Sequence, residues 1–71
     1  MMTYNEIRAR YLSGEVNEFG TLKDLLMLAI GEQTSRGEDL TDFGRIVWAL
    51  TKMDALLDEK LKLLNDDPPK N

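Results

Sequence analysis

The chain has 71 residues, of which 42% are hydrophobic and 31% charged, and its net charge is −4 at pH 7. This length suits one domain, and the composition is that of a folded globular protein rather than a disordered one. The sequence contains no Cys and no His, which excludes disulfides, thiolate zinc sites and the commonest metal ligand. A domain this small buries only about 60% of its unfolded surface, so association with another chain is the reinforcement that remains.

The sequence also bounds the location and the partners. Its longest apolar run, Leu25 to Ile30, is far shorter than the roughly 20 residues of a membrane span. The N-terminus has acidic and basic residues in place of an apolar signal region. We therefore expect a cytoplasmic protein with no membrane contact, no cofactor and no small-molecule ligand. The acidic balance also makes nucleic acid an unexpected partner.

Two short helices are predicted in the first half of the chain. The first covers about 4–13, because Thr3 and Glu6 have the spacing of a capping box and Gly14 is a typical stop. A loop follows, in which Val16 and Phe19 are expected to pack on the core. The second helix is predicted over about 22–35, with Thr21 as its N-cap. It is apolar around most of its circumference, which is typical of a central, covered helix.

A long third helix is predicted over about 42–65. Phe43, Leu50, Leu57 and Leu64 recur every seven residues, and this spacing predicts a heptad-like seam that Lys60 interrupts. The predicted core or dimer seam consists of Phe43, Ile46, Leu50, Met53, Leu57, Leu61 and Leu64. Residues 1–65 are expected to form the single helical domain, and 66–71, with two prolines, are expected to be disordered.

The length of the third helix predicts association. At about 1.5 Å per residue, 24 residues span about 36 Å. A compact 71-residue globule has a radius of gyration of about 11 Å, hence a diameter of roughly 28 Å. The two short helices leave part of the apolar surface of this helix and of the second helix uncovered. The expected fold is therefore all-α, with three helices and a homodimeric helical-bundle core.

Little in the sequence points to catalysis. Without Cys or His there is no nucleophile–base arrangement, and the glycines do not form a phosphate-binding loop. The carboxylates Asp54, Asp58 and Glu59 could bind a hard cation such as Mg²⁺, but a solvated acidic helix face is the simpler explanation. We predict no catalytic, cofactor-binding or metal-binding residues, and no enzyme.

Trp48, the only tryptophan, lies off the seam of the third helix. On a helical wheel that starts at Phe43, the seam spans roughly 280° through 40° and Trp48 lies at about 140°. Gly44 and Ala55 are its small neighbours, and Lys52 is at its polar rim. An aromatic residue with a polar rim is typical of an interaction hot spot. Three interpretations stay open here: Trp48 is in the core, in a dimer contact or in contact with a different protein.

The functional prediction is a small acidic interaction or regulatory module that binds another protein through helical surfaces. Its size and composition are typical of small accessory regulators, including viral or mobile-element inhibitors. The alternative is a dimeric DNA-binding transcriptional regulator. Its available cations are Arg8, Arg10, Arg45 and Lys52. The connection between the second and third helices is longer than a helix-turn-helix motif uses, and acidic residues lie among the basic ones.

Overall fold

The computed structural model describes residues 2–33 and 41–65. These residues form three α-helices and no strand, so the prediction of an all-α fold is confirmed. A π-helical segment continues the second helix without a break. The elements in chain order are α1 (Tyr4–Leu12), α2 (Glu18–Leu28), the π-helical segment (Ala29–Gln33) and α3 (Asp42–Asn65). The predicted tail 66–71 lies outside the described residues.

The ends of α1 follow the predicted chemistry. The Thr3 side chain accepts a hydrogen bond from the Glu6 backbone N–H at 3.2 Å, and the Thr3 N–H donates to the Glu6 carboxylate at 2.9 Å. This reciprocal capping box satisfies two N–H groups that the first helical turn leaves without partners. After the helix, Gly14 has a φ of 84°, a left-handed conformation that glycine adopts without strain. Both signals were readable in the sequence.

The start of α2 corrects one prediction. The N-cap is Asn17, whose side chain accepts from the Gly20 N–H at 2.8 Å, so the helix begins one turn before the predicted Thr21. Thr21 is instead fully buried, and its hydroxyl donates to the Asn17 carbonyl at 2.9 Å. A Cβ at Gly20 would lie 2.6 Å from the Val16 side chain. Glycine at this position therefore allows the Val16 side chain to pack closely against the helix.

The three helices pack with alternating directions. Arg8 of α1 pairs with Glu59, and Tyr4 lies near Lys52, so α1 runs parallel to α3. Glu18, at the start of α2, lies 3.8 Å from Lys60 near the end of α3, so α2 runs antiparallel to both. The buried apolar side chains between them are Ile7, Tyr11, Leu25, Leu28, Ala29, Ala49, Met53 and Leu56.

The molecule is elongated. Its radius of gyration is 14.0 Å and its extents are 52 × 20 × 19 Å. A compact chain of this length would have a radius of gyration of about 11 Å. The last turn of α3 continues beyond Lys60, the last α3 residue in contact with α1 or α2 through a hydrogen bond, ion pair or ring contact among the described residues. Leu61, Leu63 and Leu64 in that turn are exposed. None of the helices in the described ranges is long and apolar enough to cross a membrane.

Candidate interaction surfaces

Helix α3 presents two apolar faces, and they differ in what covers them. The inner face consists of Ala49, Met53 and Leu56, all buried against α1 and α2. Among the seven predicted seam residues only Met53 belongs to this face. The other six have relative exposures between 38% and 74%: Phe43, Ile46, Leu50, Leu57, Leu61 and Leu64. The seam thus lies beside the chain's own core rather than in it.

The angular positions explain this separation. On the wheel that starts at Phe43, the inner residues Ala49 and Leu56 lie at about 220–240°, whereas the six exposed seam residues centre on about 330°. About 100° of helix circumference therefore separates the two faces, with Met53 at about 280° on their border. A helix that is apolar over so wide an arc can contact more than two neighbouring helices. Two of those neighbours are α1 and α2.

Helix α2 also exposes apolar surface. Phe19 is 79% exposed, so it does not pack on the core as predicted, and Met27 is exposed as well, as is Ile30 in the π-helical segment that continues α2. A depression of about 260 Å³ lies along this side of the helix. Its lining residues are Phe19, Leu22, Lys23, Leu26 and Met27. The predicted central, covered helix is therefore covered on one side only.

The exposed surfaces of α2 and α3 adjoin each other. Glu18 beside Lys60 places α2 on the side of α3 that borders the seam. The buried Leu25 of α2 points toward the core. Leu22 and Leu26 follow next around the helix, on the side away from α1. We call the combined surface the outer face. Its central residues are Leu22, Leu26, Ile46, Leu50 and Leu57.

Trp48 lies on the opposite side of α3, next to α1. It is half-buried and packs against the core. The Lys52 ammonium lies between two aromatic rings, 5.8 Å from the centre of the Trp48 ring and 5.7 Å from that of Tyr4. Sequence reasoning missed Tyr4, since nothing local to α3 indicates which α1 residue lies opposite. Of the other predicted neighbours, Gly44 is half-buried and Ala55 exposed.

Trp48 lies far from the seam but close to the inner face, because these two faces occupy different arcs of α3. Measured from the inner-face centre, Trp48 lies within about 100°, at the border that α1 covers. Part of the Trp48 ring is therefore buried by packing within the chain. The rest of the ring is exposed, so contact with a second copy or with a different protein stays a prediction.

Lys60, which interrupts the heptad pattern, closes one end of the core. Its ammonium lies 4.2 Å from the centre of the Tyr11 ring and 3.8 Å from the Glu18 carboxylate. The Tyr11 hydroxyl donates to the same carboxylate at 3.2 Å. Burial, followed by this hydrogen bond, raises the pKa of Tyr11. Hydrogen bonds from its own backbone N–H and from Tyr11, together with Lys60, lower the pKa of Glu18. The residue that breaks the seam thus packs on Tyr11 and Glu18 of the chain's own α1 and α2.

The cations of the DNA-binding alternative are all engaged within the chain. Arg8 Nε donates to Glu59 at 3.1 Å, and a second guanidinium nitrogen also pairs with that carboxylate. These hydrogen bonds raise the pKa of Arg8 and lower that of Glu59. The remaining contacts are Arg10 with Glu15, Arg45 with Asp42, and Lys52 with the two rings. Such pairing leaves little unbalanced positive charge for phosphates.

The candidate cation-binding carboxylates do not converge. Asp54 and Asp58 are exposed on α3, whereas Glu59 points to the other side and pairs with Arg8. Asp58 itself lies 3.4 Å from Lys62. Within residues 2–33 and 41–65, no three side chains of the metal-binding types form a group that could hold an ion.

The chain was also compared with known proteins. No protein-family model, no curated protein and no solved structure matches it.

Proposed function

We propose that this protein is a small non-enzymatic interaction module that acts by binding another protein chain through the outer face. The observation that supports this most directly is the exposure of large apolar side chains on two adjoining helices. Single exposed hydrophobic residues are normal in small proteins, but a contiguous apolar patch rimmed by polar residues is typical of a protein contact.

The shape of the outer face favours a helical occupant. Leu50 and Leu57 are seven residues apart and both exposed, and Ile46 lies one turn from Leu50. This is the spacing that lets side chains of a second helix fit between them. The depression beside Leu22 and Leu26 has almost no polar lining. An apolar helix side would fill this groove in the helix-in-groove manner, so the dimeric bundle expected from the sequence is one form of the proposal.

A binding experiment with matched variants tests the proposal. Proteins that co-purify with the full-length chain are identified, and their affinity is then measured with purified components, self-association included. Leu50→Glu places a charge in the centre of the outer face. We expect it to weaken binding about 30-fold or more, the size of a hot-spot loss.

Thr51→Glu is the control for that experiment. Thr51 is adjacent to Leu50 and exposed. It lies at about 80° on the helical wheel, outside the apolar arc. We expect a change of less than about threefold in affinity, since rim charges contribute little. Equal losses for both variants, or an unchanged affinity for Leu50→Glu, would contradict the proposal. Tight binding to random duplex DNA that weakens steeply with salt would favour the DNA-binding alternative instead.

A further inference from the structure

We infer that the outer face binds a second copy of this chain, with the two-fold axis parallel to the helices and Lys23 of each copy beside Asp54 of the other. This inference rests on the proposed function, because it names the occupant of the same face. It follows from one positive charge on α2 and one negative charge on α3 that lie at a similar position along the helix axis.

The α2 and α3 sides of the outer face, its two walls, each have one charged residue beside the apolar side chains. On α2, Lys23 lines the depression together with Phe19, Leu22, Leu26 and Met27. Because this lining is almost entirely apolar, the methylene groups of Lys23 form it and the ammonium lies at its edge. On α3, Asp54 lies at about 20° on the helical wheel, between Leu50 at about 340° and Val47 at about 40°. Both charged residues are exposed, and neither has an ion pair among the described residues.

The register of α2 against α3 places these charges at one level. Glu18 lies beside Lys60, and the helices are antiparallel. Five residues further along α2, Lys23 is therefore level with residue 55 of α3, because both helices rise about 1.5 Å per residue. Asp54 is the neighbour of residue 55, so the two charges lie within about one helical turn of each other along the axis.

This common level selects one symmetric arrangement. A two-fold axis parallel to the helices keeps the level and places α2 of one copy against α3 of the other. Lys23 then meets Asp54 twice in each dimer, as an isologous interface requires. An axis perpendicular to the helices, in the plane of the contact, would instead place α3 against α3 and α2 against α2. Lys23 and Asp54 would then lie in the contact without an opposite charge, which is costly, so the charge pattern favours the first arrangement.

The experiment is a charge exchange read by sedimentation equilibrium of the full chain. Lys23→Glu alone and Asp54→Lys alone each create two like-charge contacts per dimer. We expect each to weaken dimerisation about tenfold or more. The double variant Lys23→Glu/Asp54→Lys restores opposite charges and should return the dissociation constant to within about threefold of wild type. Glu and Lys are both good helix formers, and circular dichroism confirms that each variant stays folded.

Lys62→Glu is the matched control. It makes the same change in net charge as Lys23→Glu at a residue that is exposed and outside the outer face, so it should leave dimerisation nearly unchanged. A dimer that the single variants do not weaken, or that the double variant does not restore, would overturn the arrangement while leaving the proposed function intact. A chain that stays monomeric at about 100 µM would overturn the second copy as occupant. Loss of a different protein partner with Leu50→Glu would then still support the proposed function.

Discussion

The two apolar faces of α3 differ in solvent exposure, and the sequence does not indicate which of them is buried. The inner face uses Ala49, Met53 and Leu56 and is covered completely. The outer face has the stronger heptad pattern, with Leu50 and Leu57 seven residues apart, yet it stays exposed. In this chain, therefore, the most regular apolar periodicity does not mark the chain's own core.

The largest expected effect comes from shortening Leu56, a leucine of the inner face. Leu56 is 1% exposed and Leu50 is 50% exposed, on the same helix. Leu56→Ala should cost about 2–5 kcal/mol of folding free energy, because it removes buried methyl groups and leaves a cavity. That is a large fraction of the total stability of so small a domain. Urea unfolding followed by circular dichroism measures the loss.

Leu50→Ala is the matched substitution on the outer face. In dilute solution we expect it to cost less than about 1 kcal/mol, since about half of the side chain is already in water. If the outer face is occupied by a second copy, this variant lowers the melting temperature more at concentrations where wild type associates than in dilute solution. Equal losses for both leucines in dilute solution would remove the distinction between the two faces.

Sequence patterns predicted the helices of this fold better than their contacts. The capping box at Thr3 and the bounds of α3 were readable because local chemistry determines them. The start of α2 was not, because Thr21 was interpreted as the N-cap, whereas Asn17 caps the helix and Val16 packs against Gly20 in its first turn. The seam was interpreted as core or dimer contact. Which arc of α3 faces α2 depends on long-range contacts such as Lys60 with Glu18, and no local pattern indicates these.

Trp48 tests the difference between the inner and outer faces, because it lies at the border of the inner face and far from the outer one. Trp48→Ala should cost about 2 kcal/mol of folding free energy, less than the roughly 3–5 kcal/mol of a fully buried aromatic residue. The ring is half-buried and contacts Lys52, and both the packing and the cation–π contact are lost. Dimerisation through the outer face should not change. Unfolding and sedimentation measured on the same variant separate these two effects.

Trp48→Phe is the control, since it keeps much of the packing and should lose less than half as much stability. Tryptophan emission of the wild type should be independent of dilution if Trp48 packs only within its own chain. A red shift on dilution, with helicity retained, would place Trp48 in an interchain contact and contradict this prediction.

A smaller effect is expected at the start of α1, which covers one side of the inner face. Thr3→Ala removes the hydroxyl that accepts the Glu6 N–H and should cost about 1 kcal/mol. Thr3→Ser keeps the hydroxyl and should be nearly neutral. Thermal unfolding measures both variants. Because α1 does not contribute to the outer face, self-association should be unchanged; a weaker dimer in Thr3→Ala would show that the two faces are coupled.

The smallest expected effect is the loss of folding stability at acidic pH that the ion pair between Glu59 and Arg8 causes. The hydrogen bond from Arg8 lowers the pKa of Glu59 from its ordinary value of 4.5. The unfolded chain therefore binds more protons between that value and the folded pKa, and folding stability falls as the pH drops through this window. The contribution is complete above about pH 5 and is modest because the pair is partly exposed to solvent.

Glu59→Gln should flatten the decline in folding stability below about pH 4.5. The part that Glu6 and Glu18 contribute through their own lowered pKa values should remain. Arg8→Gln should flatten it in the same way, and the double variant should add little to either single one. Urea unfolding between pH 3 and pH 7 supplies the curves. If the two single effects add fully, the ion pair does not link α1 to α3, and the inner face is held by its apolar contacts alone.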